Sequence, residues 1–180
     1  MITHEIYLRL EQCFGHAPTT EQESAMRVFT EFLVCRNPHS MMLMRGSAGT
    51  GKSSLAGAFV RAMALLGQKT VLMAPTGRAA KVFSLNSGGH AAFTIHRKIY
   101  RLRAFAGIGG EYNLNDNLHA DTLFMVDEAS MVANGGGVEA AFGSGRLLDD
   151  LVRYVYSGRN CRLVLIGDQA QLPPVGEELS

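Results

Sequence analysis

The sequence predicts an α/β fold in which a mainly parallel β-sheet carries helices on both faces. The first observation is that short apolar runs alternate along the chain with longer segments of helical periodicity. The second is that each run leads into a glycine-rich or polar motif, which is typical of the carboxyl edge of a parallel sheet. The third is size, because 180 residues with 47% hydrophobic side chains can bury the core of one domain.

The N-terminal part of the chain predicts two helices. Apolar residues recur at helical spacing between residues 5 and 34, with an interruption at Gly15. Thr19 is followed by carboxylates and a glutamine, the pattern of a capped helix start. We therefore expect residues 1–36 to form a helical segment that belongs to the same domain as the α/β core at residues 37–180.

A glycine-rich octet predicts a phosphate-binding loop. Residues 46–53 read GSAGTGKS and stand between an apolar run at 41–44 and a predicted helix at 55–66. In such a loop, backbone N–H groups and the start of the following helix face an anion, while Lys52 reaches the terminal phosphates and Ser53 binds magnesium. The nucleotide-binding candidates are Gly46, Ser47, Ala48, Gly49, Thr50, Gly51, Lys52, Ser53 and Ser54.

Each later apolar run also ends in a polar motif. The runs at 70–74, 122–126 and 162–166 lead into Pro75-Thr76-Gly77, Asp127-Glu128 and Gly167-Asp168-Gln169-Ala170-Gln171, respectively. Because ligands bind at the carboxyl ends of strands in a parallel sheet, we expect these motifs and the phosphate loop to share one site.

Asp127 and Glu128 are the candidates for the chemical step. Asp127 fits the acid that holds magnesium beside Ser53, and Glu128 would orient and deprotonate a water near the terminal phosphate. The predicted reaction is hydrolysis of a nucleoside triphosphate. Taken alone, the pair could also be ordinary acidic residues at a strand end; the phosphate loop upstream favours catalysis.

The segments between the motifs predict two helices and two surface excursions. The helices are expected at 78–85 and 146–156, a loose hairpin at 104–117, and a glycine-rich insert at 134–145. The aromatic residues show no cluster in sequence that would mark a track for stacking bases.

Composition and charge limit the classes of protein to which this chain can belong. The formal charge of +1 gives no general attraction to nucleic acid, and three scattered cysteines give neither a disulfide framework nor a metal pattern. We find no apolar run long enough to span a membrane and no secretory signal, so we expect a soluble, cytoplasmic protein that does not act at a membrane.

The motifs together resemble the superfamily 1 helicases, and the RecD-like branch is the best match. The resemblance covers about residues 17–180 and rests on Gln22, Gly46 to Ser53, Ala74 to Lys81, Thr94-Ile95-His96, Asp127 to Met131 and Gly167 to Gly176. It implies a RecA-like ATPase domain that uses ATP and Mg²⁺ to move along single-stranded DNA, in that branch usually 5′ to 3′.

The resemblance also implies roles for residues at the matching positions. Gln22 would read adenine, and Lys52, Glu128 and Gln171 would be the catalytic group, with Gln171 contacting the terminal phosphate. Magnesium would be held by Ser53 and Asp127. The segments that touch the DNA backbone in the family contribute Pro75, Thr76 and His96; taken alone, His96 could equally be a hydrogen-bonded structural histidine.

The resemblance further implies a second motor domain, and no such domain follows within these residues. We therefore expect a C-terminally truncated domain with an exposed edge or apolar face, weak binding of single-stranded DNA, and little or no activity alone. Two alternatives stay open: a phosphate-loop NTPase that acts on RNA, and a nucleotide-binding module without motor activity.

Overall fold

In the computed structural model, the described residues are 2–105, 108–132 and 142–168. Gln171, the proline-rich segment that follows it and most of the predicted insert at 134–145 lie outside these ranges. The helices are α1 (Ile2–Phe14), α2 (Thr20–Val34), α3 (Lys52–Leu65), α4 (Gly77–Asn86), α5 (Ile95–Ile99) and α6 (Leu147–Ser157). The strands are β1 (Met41–Arg45), β2 (Lys69–Ala74), β3 (Ala92–Thr94), β4 (Tyr100–Phe105), β5 (Ile108–Leu114), β6 (Thr122–Val126) and β7 (Arg162–Gly167), and a 3₁₀ turn spans Ala129–Met131.

Five strands form one parallel sheet in the order β1-β7-β6-β2-β3. All five residues of β6 are buried, because this strand lies in the centre of the sheet and is covered on both faces. The prediction of a mainly parallel sheet is confirmed, and strands β2, β6 and β7 begin within one residue of their predicted positions.

Helices cover both faces of the sheet, as predicted. One hydrophobic core joins α1, α2 and α3 to the sheet, and within it the rings of Phe29 and Phe59 stack with centroids 4.0 Å apart. A second core joins α5 and α6 to the opposite face, where Tyr154 packs edge-on against Phe124 at 6.0 Å. Helices α1 and α2 therefore share the core that supports the phosphate loop.

The structure contains the hairpin predicted at 104–117, with an earlier start, and adds two short elements. Strands β4 and β5 pair antiparallel, and the hairpin begins at Tyr100, earlier than the expected residue 104. The short elements are β3 and α5, which the sequence did not predict because three and five residues are too few for a readable periodicity.

The outer strand of the described sheet leaves apolar surface exposed. Along β1, burial alternates, and Met41 and Leu43 are 49% and 47% exposed. A groove of about 220 Å³ lies beside them and is lined in part by Leu43, Leu148 and Leu165. Among the described helices, none is long and apolar enough to cross a membrane.

Candidate nucleotide site and nucleic-acid face

The predicted phosphate loop connects β1 to α3. Gly49 and Gly51 have φ of 80° and 82°, in the left-handed region that glycine adopts without strain. Gly51 is also the N-cap of α3 and brings no capping side chain. Residues 47–50 are exposed, as are Ser53 and Ser54 in the first turn of the helix. The loop therefore presents backbone at the positive end of a helix, an arrangement suited to phosphate.

Lys52 is held inside the loop by oxygen atoms of the protein. Its ammonium donates hydrogen bonds to the backbone carbonyls of Gly46 and Ser47, the latter over 2.7 Å. It also lies 3.5 Å from Oδ2 of Asp168, whose side chain is 2% exposed. Asp168 follows β7 as Asp127 follows β6, and it belongs to the polar motif at 167–171 that the sequence predicted to share a site with the phosphate loop.

Gln22 connects the start of α2 to the phosphate loop. Its Oε1 accepts from the backbone N–H of Thr19 over 3.0 Å, and its own backbone N–H donates to the Thr19 hydroxyl over 3.3 Å, which completes a capping box. Its Nε2 donates to the carbonyl of Thr50 over 3.0 Å. The amide is also close to Gly51, where a Cβ would lie 2.6 Å from Nε2. The predicted adenine-reading residue thus lies against the loop.

Asp127 and Glu128 directly follow the central strand β6. The Asp127 N–H donates to the carbonyl of Met73 over 3.0 Å and so extends the pairing of β6 with β2. Glu128 has φ of 56°, and its N–H donates to Oδ1 of Asp127 over 3.0 Å. The side chains of Asp127 and Glu128 line a cavity of about 310 Å³ together with Ser53. Arg78, which the sequence did not place in the site, lines the same cavity.

Burial raises the pKa of Asp127 above its ordinary value, and the charge of Glu128 acts in the same direction. The hydrogen bond from the Glu128 N–H and the charge of Lys52 oppose this effect. The charged form of Asp127 is therefore less favourable than it would be in water, and a bound cation would stabilise it. Hydroxyl and carboxylate oxygens are ligands that Mg²⁺ prefers, so Ser53 and Asp127 fit this ion together with nucleotide phosphates.

The residues predicted to touch nucleic acid come together at the ends of two neighbouring strands. Ala74 in β2 pairs in register with Thr94 in β3, which brings the segment after each strand to the same edge. Thr76 and Thr94 cap α4 and α5 through their hydroxyls. A groove of about 350 Å³ runs between these segments, and its lining includes Gly77, Lys81, Phe93, Thr94 and Arg97.

His96 belongs to an aromatic group that the sequence did not reveal. Its ring lies 4.8 Å from that of Phe142, and the ring of Phe142 lies 4.5 Å from that of Tyr112 and 5.6 Å from that of Tyr100. Tyr112 is 39% exposed, whereas Tyr100 is buried. The three segments are distant in sequence, so only the fold forms this cluster. We call His96, Tyr100, Tyr112 and Phe142 the aromatic group.

Comparisons with known proteins identify the family of this chain. A family model described as an AAA domain matches residues 18–178. The ATP-dependent RecD2 DNA helicase of Deinococcus radiodurans is 33% identical over 137 residues, which cover 76% of this chain and 16% of that protein. The uncharacterized protein MJ1519 of Methanocaldococcus jannaschii is 32% identical over 171 residues, covering 87% of this chain and 13% of that protein.

Two solved structures have a similar fold. Bacteroides Pif1 bound to ssDNA matches with a TM-score of 0.54 and 24% identity, over 91% of this chain and 34% of that one. The Pif1 helicase from Candida albicans matches with a TM-score of 0.50 and 22% identity, over 88% of this chain and 34% of that one. The chain thus spans about a third of these structures and less than a fifth of the two curated relatives.

Proposed function

We propose that this chain, which belongs to the AAA domain family and is a helicase-type RecA-like domain, is the ATP-binding and ATP-hydrolysing N-terminal motor domain of a DNA helicase. In the intact protein it moves along single-stranded DNA, 5′ to 3′, at the expense of ATP. The proposal rests on one observation: Ser53, at the end of the phosphate loop, lines the same cavity as Asp127 and Glu128, which follow β6.

We assign the binding of ATP to the loop and its flanks. Backbone N–H groups of residues 46–51 and the Lys52 ammonium bind the phosphates, and Ser53 and Asp127 hold Mg²⁺. When bound, Mg²⁺ neutralises phosphate charge. Gln22 reads the adenine, which its place beside Gly51 supports. Its amide already bonds to Thr19 and Thr50, so the orientation that meets the base is fixed in advance.

We assign the hydrolytic step to Glu128 as general base. Its side chain is partly exposed and lines the cavity that also contains Ser53 and Asp127, so a water there is within its reach. Asp127 is more buried, which suits a carboxylate that binds a cation rather than one that accepts a proton from water. Gln171 stays a prediction for the residue that contacts the terminal phosphate.

We assign nucleic-acid binding to the edge formed by the ends of β2 and β3. Pro75, Thr76 and His96 lie there, and Lys81 and Arg97 supply positive charge to the groove beside them. Small polar groups and cations are suited to backbone phosphates, whereas exposed aromatic rings are suited to unpaired bases. The exposed ring of Tyr112 in the aromatic group offers such a surface.

We further propose that residues 1–36 and 37–180 form one domain, because α1 and α2 share a core with α3. A second motor domain would complete the ATP site with arginines and the DNA groove with a second wall. Arginines of this kind contribute about 10³ to 10⁵ in rate in phosphate-loop enzymes. The chain alone is therefore a nucleotide binder with weak ATPase activity and weak affinity for single-stranded DNA. We propose a cytoplasmic location.

The test is nucleotide binding by the chain, followed by ATP turnover in the intact protein with single-stranded DNA or single-stranded RNA. We expect calorimetry to show Mg²⁺-dependent binding of ATP and ADP, and turnover to rise with DNA much more than with RNA. Greater stimulation by RNA would favour the RNA-dependent alternative. Binding without turnover in the intact protein would favour a nucleotide-binding module.

A further inference from the structure

Asp168 presents a buried carboxylate to the ammonium of Lys52. The side chain is 2% exposed, and its Oδ2 lies 3.5 Å from Nζ of Lys52, which is itself mostly buried. Charges this far from water attract each other more strongly than a surface pair, because the solvent screens them less. The contact therefore differs from the exposed ion pair of Arg27 with Glu23, whose side chains are 64% and 41% exposed.

Three oxygen atoms of the protein surround the Lys52 ammonium, two of them as hydrogen-bond acceptors. An ammonium has three N–H donors and no acceptor. The carbonyls of Gly46 and Ser47 accept two hydrogen bonds, and Asp168 supplies the third oxygen nearby. A phosphate oxygen that binds this ammonium therefore competes with the Asp168 carboxylate for the positive charge of Lys52.

Asp168 is also connected to the turn that carries Glu128. Its backbone N–H is 3.5 Å from the hydroxyl oxygen of Ser130, two residues after Glu128. The preceding Gly167 lies so close to the same turn that a Cβ there would be 3.1 Å from the Ser130 nitrogen. Position 168 thus joins the phosphate loop to the segment that follows β6.

We propose that Asp168 is a positioning residue that competes with the nucleotide phosphates for the Lys52 ammonium and so speeds nucleotide release. When the contacts between Lys52 and the phosphates break, the negative charge of Asp168 attracts the ammonium back to its position at the loop carbonyls. This lowers the affinity of the site for product and shortens the time that product stays bound. The proposal rests on the proposed function, because it assumes that Lys52 binds phosphate.

The direction of the effect makes the proposal testable. Asp168→Asn keeps the size of the side chain and removes its charge, so Lys52 becomes freer to stay on the phosphates. We expect fluorescent ADP to dissociate about tenfold more slowly from this variant, measured by stopped-flow chase with unlabelled ADP and Mg²⁺. A dissociation rate that is unchanged or faster would overturn the proposal.

The matched control is Asp150→Asn. Asp150 is also 2% exposed, but its carboxylate accepts from the Tyr100 hydroxyl over 2.7 Å and from the Ser144 N–H over 2.9 Å, in the core on the opposite face. We expect this variant to lose stability without slowing ADP release. If both variants slow release equally, the effect is a general one of removing a buried charge, and the proposal is wrong.

A second measurement does not depend on nucleotide. Thermal unfolding of the wild type, Lys52→Ala, Asp168→Asn and the double variant forms a double-mutant cycle without added ligand. We expect Asp168→Asn to be clearly less destabilising, or stabilising, in the Lys52→Ala background. Additive effects would contradict the ion pair. Failure of the wild type to bind any nucleotide would instead contradict the proposed function, and the cycle would still decide the pairing.

Discussion

The side-chain amide of Gln22 donates a hydrogen bond to the backbone carbonyl of Thr50, 28 residues away in the sequence. This bond joins the capped start of α2 to the last turn of the phosphate loop before Gly51. Because of this bond, a movement of the loop on phosphate binding would also move Gln22, the residue assigned to the base. If Gln22 reads the base as proposed, this one amide would couple recognition of the base to recognition of the phosphates.

Gln22→Ala should weaken ATP binding and reduce the preference for adenine. The variant loses a hydrogen bond of about 1 kcal/mol, or roughly fivefold in Kd. Calorimetric titration with ATP and CTP measures the affinity and the preference. Gln12→Ala is the control, since Gln12 pairs with Arg9 on the exposed side of α1. Equal preference for ATP over CTP in both variants would rule out the assigned role of Gln22.

Lys52→Ala should reduce nucleotide affinity by about 100-fold, because charge-assisted hydrogen bonds to the phosphates are lost. The variant should also melt at a lower temperature, since Asp168 loses a charged partner. Titration with ADP and Mg²⁺, beside a thermal melt, gives both quantities. Lys69→Ala, at the exposed start of β2, controls for the loss of a lysine. Unchanged affinity in Lys52→Ala would refute the phosphate loop assignment.

Glu128→Gln and Asp127→Asn should have different effects on the intact protein. Loss of the general base in Glu128→Gln should lower turnover by about 10² to 10⁴ while nucleotide binding is kept. Asp127→Asn should instead shift the magnesium dependence to higher concentration. Turnover and binding as functions of Mg²⁺ separate the two. Identical magnesium titrations for both variants would mean that the division of roles is wrong.

Tyr112→Ala should lower the affinity of the intact protein for single-stranded DNA, whereas Tyr112→Phe should keep it. Stacking of a base on an aromatic ring contributes about 1 to 3 kcal/mol, and the phenylalanine preserves the ring. Fluorescence anisotropy with a labelled oligonucleotide measures the effect. ATP binding in the absence of DNA should be the same in both variants. If alanine and phenylalanine bind DNA equally well, the aromatic group only supports the hairpin.

His119 should make the fold less stable in mild acid. Burial, together with the charges of Lys98 and Lys69, lowers the pKa of His119 below its ordinary value of about 6.5. The unfolded chain then binds the proton more readily than the folded one, so stability is present above this value and is lost as the pH falls through it. Urea unfolding at pH 7.5 and 5.5 should show a smaller loss for His119→Gln than for the wild type. An equal loss would place the acid sensitivity elsewhere.

The sequence was sufficient for the features that depend on local pattern. Apolar runs gave the central strands, because a strand buried on both faces is apolar throughout, and the motifs identified a superfamily 1 helicase domain, which the comparisons confirm. The order of the strands and the pairing of β2 with β3 depend on contacts between distant segments. No local pattern contains that information.

The candidate site divides in the same way. The phosphate loop and the pair Asp127-Glu128 follow from spacing, and the structure brings Asp127 and Glu128 to one cavity with Ser53. The contact of Lys52 with Asp168 and the ring contacts of Tyr112 could not be predicted, because each depends on how side chains from separate elements pack. Individual residue roles therefore stay predictions until the variants are measured.

Alternate residues of the central strands lie in the two cores on opposite faces of the sheet. The same alternation determines the face toward which Asp127 and Asp168 point. In β6, Phe124 and Val126 enter one core, whereas Leu123 and Met125 enter the core that contains α3. Asp127 continues the second series toward the phosphate loop, and in β7 Asp168 continues the series of Val164 and Ile166 toward Lys52. Deleting a single residue inside either strand would exchange the contents of both cores and turn the acid away from the loop. The alternation of side chains along these strands thus determines both the packing of the two cores and the direction of the acidic side chains. Insertions are therefore tolerable only in the loops between the strands.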